Sequence, residues 1–142
     1  MTQSLSRLLL VQLTIILFAI TTSAWRRNGG TIELYPAERA HPLLDTRISS
    51  LRINNVKVNE ALQHLLSSVE VKQALLNFGL RLVPTVPRDD YPDSSFSISA
   101  DNTTLRQALN RIAESSGTRF WAFELIGPNR GAVWIRLGAG AQ

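Results

Sequence analysis

Between Ser50 and Ala113 the apolar positions keep two different periods, and they do so twice. Ile98 and Ala100 alternate with Ser97 and Ser99, as Leu51 and Ile53 alternate with Ser50 and Arg52, and period two is the mark of a half-buried strand. The period then lengthens. Leu105, Ala108, Leu109, Ile112 and Ala113 fall at i, i+3, i+4, i+7 and i+8, and Val58, Ala61, Leu62, Leu65 and Leu66 fall at the same offsets. Each set makes one apolar stripe along a helix. The pair Ala61-Leu62 recurs as Ala108-Leu109, 47 positions on, and the same offset aligns Ser50 with Ser97 and Asn55 with Asn102. The pattern predicts a strand that hands over to a helix, used twice, with Asn54-Asn55 and Asp101-Asn102 as the turns between them.

The two copies differ at their ends. Thr104 and Gln107 have the spacing of a capping box, and Gly117 stands just past the second helix. The first copy has Lys57 at the capping position, so its start is less well specified. Its stripe also fails after Val69, because the same register would bury Lys72. Ser67-Ser68 therefore predicts a break, followed by a second helical piece carrying Ala74, Leu75, Leu76 and Phe78 and stopped by a left-handed Gly79. Leu80 to Val83, with Val86, returns to strand and is ended by Pro84 and Pro87. After the polar loop Arg88 to Ser95, the second unit runs through the strand Phe96 to Ala100 and the helix Leu105 to Ser115. Two further strands follow, Arg119 to Ile126 and Ala132 to Leu137, separated by the turn Gly127 to Gly131.

Composition narrows the class. With 44% hydrophobic and 18% charged residues in 142, the chain has the means to fold, as one domain with or without an export segment. It has no cysteine, which removes disulfides and thiolate metal sites, so stability rests on the core. A net charge of +4 raises the question of nucleic acid, but the basic residues are scattered among acidic ones. Charge of that kind reads as a solvated surface.

Met1 to Ala24 has Arg7 as its one charged side chain, then an apolar run from Leu8 to Ile20, then Thr21-Thr22-Ser23-Ala24. This is the three-part plan of a signal peptide, a helix cleaved after residue 24. Arg26-Arg27, just beyond it, supports the alternative of an uncleaved anchor, with residues 8–24 in the inner membrane. Under either reading the remainder is periplasmic or secreted. Residues 25–46, with Gly29-Gly30, Pro36 and Pro42, read as a linker in which Thr31 to Tyr35 adds at most a short strand. Residues 138–142 read as a flexible tail.

No arrangement of residues announces a reaction. Asp89, Asp90 and Asp93 lack the alternating ligands and glycine of a calcium loop and read as a solvated connector. The two imidazoles, His41 in the linker and His64 on the polar side of the first helix, assemble neither a zinc site nor a triad. No catalytic residue, metal ligand or cofactor site is assigned, and the chain is read as a binding protein, not an enzyme. The aromatic strand carries the one tension. Trp121 and Phe123 share a face, opposite Phe120, and Trp134 with Arg136 lies on the closing strand. These four form either core with a protected edge or an interaction surface.

Two such units, joined by a polar loop and preceded by a leader, resemble the secretin and TonB N-terminal short domain, a small periplasmic module of outer-membrane secretins and signalling receptors. The likeness is carried by Leu51 to Leu62 and Ile98 to Leu109, each reading strand, Asn, aliphatic, x, aliphatic, x, x, Ala-Leu, then by Ser116-Gly117, and it covers residues 47–137. It implies docking onto envelope proteins, with no cofactor. The expected fold is α+β: two strand-helix-strand units whose helices bury their stripes on small sheets and cover each other. The alternatives are binding of cell-wall glycan through Trp121 or Trp134, and RNA binding, which the leader and the absence of a glycine-aromatic signature oppose.

Overall fold

A computed structural model describes residues 23–28, 31–36, 41–84, 91–118 and 120–138. The elements run β1 (Ser23–Asn28), β2 (Thr31–Pro36), a 3₁₀ turn (Pro42–Asp45), β3 (Arg47–Val56), α1 (Val58–Leu66), α2 (Val69–Asn77), β4 (Arg81–Leu82), β5 (Phe96–Thr104), α3 (Leu105–Ser116), β6 (Phe120–Ile126) and β7 (Ala132–Gly138). The fold is α+β. Strands β3 and β5 form a two-stranded antiparallel sheet, and the others form a five-stranded sheet in the order β1-β2-β6-β7-β4.

The repeat is a structural symmetry. Arg52 of β3 pairs with Ser99 of β5, its own counterpart 47 positions on, so a local two-fold passes between them. Helices α1 and α3 begin at the matched residues Val58 and Leu105. Asn55 and Asn102, also matched, both adopt left-handed backbone, at φ 49° and 48°. Asparagine tolerates that region where bulkier side chains do not. The strands run on through these residues instead of turning at them, which corrects the expected turns. Around Asn54-Asn55 the register with β5 shifts, as in a bulge that bends a strand without ending it.

Both predicted stripes are buried. Val58, Ala61, Leu62, Leu65 and Leu66 of α1 and Leu105, Ala108, Leu109, Ile112 and Ala113 of α3 join Leu51, Ile53 and Ile98 of the small sheet and Trp121, Val133, Ile135 and Leu137 of the large one in a single core. The helices pack against each other. Fully burying a Leu or Ile is worth roughly 1.5–3 kcal/mol, so neither unit would hold its stripe in water alone.

The helix ends follow their chemistry. Thr104 Oγ1 accepts from the Gln107 N–H at 3.2 Å, and the Gln107 side chain accepts from the Thr104 N–H at 3.0 Å. Lys57 offers α1 no side-chain cap. Helix α2 closes on Gly79 at φ 63°, where the Leu80 N–H reaches the Leu75 carbonyl at 2.8 Å and the Gly79 N–H the Leu76 carbonyl at 3.0 Å. Gly117 ends α3 at φ 78°.

The stretch expected to be a linker belongs to the fold. Strands β1 and β2 form an antiparallel pair, and β2 lies parallel to β6, with Glu33 opposite Trp121. Leu43 and Leu44 of the 3₁₀ turn are fully buried. Ser23 and Ala24, placed at the expected cleavage site, lie in β1. Residues 1–22 of the expected leader and residues 139–142 of the expected tail lie outside the described residues. Among the described residues no helix is long and apolar enough to cross a membrane.

Candidate interaction surface

Alternation along β6 divides the four residues read as an interaction surface. Trp121 and Phe123 point inward and are buried, so they are core, a correction to their reading as surface. Trp134 and Arg136 lie on the other face, because Phe123 pairs with Ile135 and Glu124 with Trp134. There the Arg136 guanidinium sits 4.8 Å from the centre of the Trp134 ring, and its Nη2 is 3.8 Å from Glu124 Oε1. The pair is half-buried, a cation over an aromatic face. The rings needed for one contact patch are thus split between two sides of the sheet.

The inward face holds a buried polar cluster that no sequence signal marked. Glu33 of β2 is fully buried; its Oε2 accepts from Arg106 Nη1 at 2.8 Å and its Oε1 from Asn110 Nδ2 at 2.8 Å. Asn110 Oδ1 in turn accepts from Trp121 Nε1 at 2.7 Å. Thr31 Oγ1 donates to the Asn110 carbonyl at 3.3 Å and also lies 3.3 Å from Glu114 Oε1. Arg106, Asn110 and Glu114 recur every four residues, so they form one polar flank of α3; β2 covers its Arg106 and Asn110 and leaves Glu114 exposed. Ile32, between the two inward residues, is 41% exposed. Each charged or amide group finds a partner, the condition under which a buried polar network is tolerated.

His41, read as a solvated linker residue, is built into the packing, another correction. Its Nδ1 accepts from the Leu43 N–H at 3.0 Å, capping the 3₁₀ turn, and its ring stacks on Phe123 at 5.7 Å with the edge of Phe78 at 5.1 Å. Burial between these rings lowers its pKa. His64 is exposed on α1. Of the acidic connector, Asp89 and Asp90 lie outside the described residues, and Asp93 forms an exposed ion pair with Lys57. The hydrogen bond within that pair lowers the Asp93 pKa and raises that of Lys57.

Among the described residues the two most exposed large aliphatic side chains lie on the first unit. Helix α2 buries Val71, Ala74 and Leu75 and leaves Val69 and Leu76, seven residues apart and so on one stripe, 80% and 74% exposed. Beside it an open groove of about 570 Å³ runs between α1, α2 and β4, with Leu66, Leu75 and Leu82 as apolar lining and Asn59, Gln63 and Lys72 as polar lining. The sequence pattern carried a signal for this region in the failure of the α1 stripe at Lys72. Comparison with known proteins returns no match to a family model, to a curated protein or to a solved structure.

Proposed function

We propose that the chain is a protein–protein interaction module exported to the cell envelope, docking through the first unit. The reading is supported by the leader-like start, by the resemblance of residues 47–137 to the secretin and TonB N-terminal short domain, and by what α2 displays. The observation that carries it is the exposed stripe of Val69 and Leu76 beside an apolar groove. Large aliphatic side chains left in water on a helix gain free energy when a partner covers them. The glycan reading keeps Trp134 alone, since Trp121 is buried.

The test is site-directed photo-crosslinking in envelope extract. A crosslinker at position 76 yields one discrete protein adduct, one at the exposed Arg47 of β3 yields none, and Val69→Asp removes the adduct. Equal labelling from positions 76 and 47 refutes the assignment.

A further inference from the structure

The two-fold symmetry relates a filled position to an open one. In the second unit, the flank of α3 runs through Arg106, Asn110 and Glu114; β2, which pairs parallel to β6, covers Arg106 and Asn110 with Glu33, and Glu114 at the end stays exposed. Their counterparts 47 positions earlier are Asn59, Gln63 and Ser67 of α1, and these line the open groove. The strands agree with the helices. β4 and β6 each follow the last helix of their unit, flank β7 on its two sides, and run antiparallel to each other, since β7 is parallel to β4 and antiparallel to β6. The side of β4 away from β7 therefore corresponds to the side of β6 that carries β2.

That side of β4 has hydrogen-bonding capacity. The N–H groups of Arg81 and Val83 donate to the Gly131 and Val133 carbonyls at 2.9 Å each. Alternation along a strand directs the Leu82 N–H and carbonyl to the opposite edge, and among the described residues no strand pairs there. Pro84 follows directly and has no N–H, so the accepting edge is short.

We infer that the groove between α1 and β4 takes an extended segment of a partner protein as an added parallel strand, with a carboxylate side chain facing α1 where Glu33 faces α3. This rests on the reading of the chain as a docking module and gives its partner a chemistry. Charge selects the carboxylate. In the second unit Glu33 meets Arg106 and Asn110. In the first, the groove offers the amides of Asn59 and Gln63 and the ammonium of Lys72, which has no ion-pair partner among the described residues. Leu66, Leu75 and Leu82 then meet an apolar side chain of the incoming strand. Backbone pairing gives such a contact its affinity, and the facing side chains give it its choice of sequence.

The probe is a fluorescein-labelled peptide with the sequence of residues 31–36, titrated with the full chain and followed by anisotropy. We expect saturable binding, weakened about tenfold by Lys72→Glu and about tenfold by a Glu-to-Lys change at the third peptide residue, and recovered when both changes are combined. Amide exchange slows at Leu82 in the complex. Absence of saturable binding overturns the inference, as does binding that Lys72→Glu leaves unchanged, because a peptide displacing β2 itself would protect β6 instead. Self-association of the chain that Lys72→Glu abolishes would seat a second copy in the groove and also overturn it. Position 76 crosslinking does not depend on β4, so the strand mode fails separately from the docking reading.

Discussion

Helices α1 and α3 drive matched stripes into one core, yet their outer flanks meet different fates. The flank of α3 carries Arg106 and Asn110, which β2 covers through the buried Glu33, with the exposed Glu114 at its end. The flank of α1 carries Asn59, Gln63 and Ser67, lies open to solvent and is extended by a second helix with two exposed aliphatic residues. One flank is thus covered by a strand of its own chain, while the other borders an open groove among the described residues. Duplication supplies two equal surfaces, and a short N-terminal hairpin covers only one of them.

The sharpest way to break this contrast is to remove one member of the sealed pair. Glu33→Ala or Arg106→Ala breaks a 2.8 Å ion pair whose carboxylate is fully buried, and we expect a loss of about 3–5 kcal/mol in urea denaturation. Asn59→Ala, the matched change in the open unit, should cost below about 0.5 kcal/mol. Equal losses at the two sites would show that the α1 flank is sealed as well.

The core itself should not distinguish the units. Leu62→Ala and Leu109→Ala each remove a buried side chain at matched positions, and each should cost about 2–5 kcal/mol. A loss below about 1 kcal/mol at either site would mean that its unit does not share the common core.

Helix starts give a smaller contrast. Thr104→Ala breaks the capping box of α3 and should cost about 1 kcal/mol, whereas Lys57→Ser gives α1 a cap it lacks and should raise the unfolding midpoint.

The smallest effect concerns His41, wedged between Phe78 of the first unit and Phe123 of the second. Its folded pKa lies below the unfolded value of about 6.5. The unfolded state therefore binds the extra proton first as pH falls. Stability is full above about pH 6.5 and declines below it, until the folded state is protonated too. Protonation also turns Nδ1 from the acceptor for Leu43 into a donor. His41→Asn keeps a capping oxygen without a titration in this range, so it should flatten the urea midpoint between pH 7 and pH 5. An unchanged slope would locate the proton elsewhere.

The repeat, both buried stripes, the break at Ser67-Ser68, the glycine stops and the capping box were legible because each depends on residues a few positions apart. The left-handed asparagines read in sequence as turns, since a bulge and a turn make the same local demand and only the partner strand separates them. Residues 25–46 read in sequence as a linker for a different reason. Alternation alone would put Ile32 inside, yet Thr31 and Glu33 face inward, because the surface they meet on α3 is polar. The aromatic strand was ambiguous for the same cause: whether Trp121 is core depends on Asn110, eleven residues away, receiving its indole N–H.

Local pattern alone determined the duplicated strand and helix, with their periods and caps, because these arise from backbone geometry and nearest neighbours along the chain. Tertiary structure alone decided which flank the hairpin covers, since β2 meets Arg106 and Asn110 across more than seventy residues. A polar side chain becomes a buried partner or an open groove wall only when another part of the fold arrives, or fails to arrive, against it.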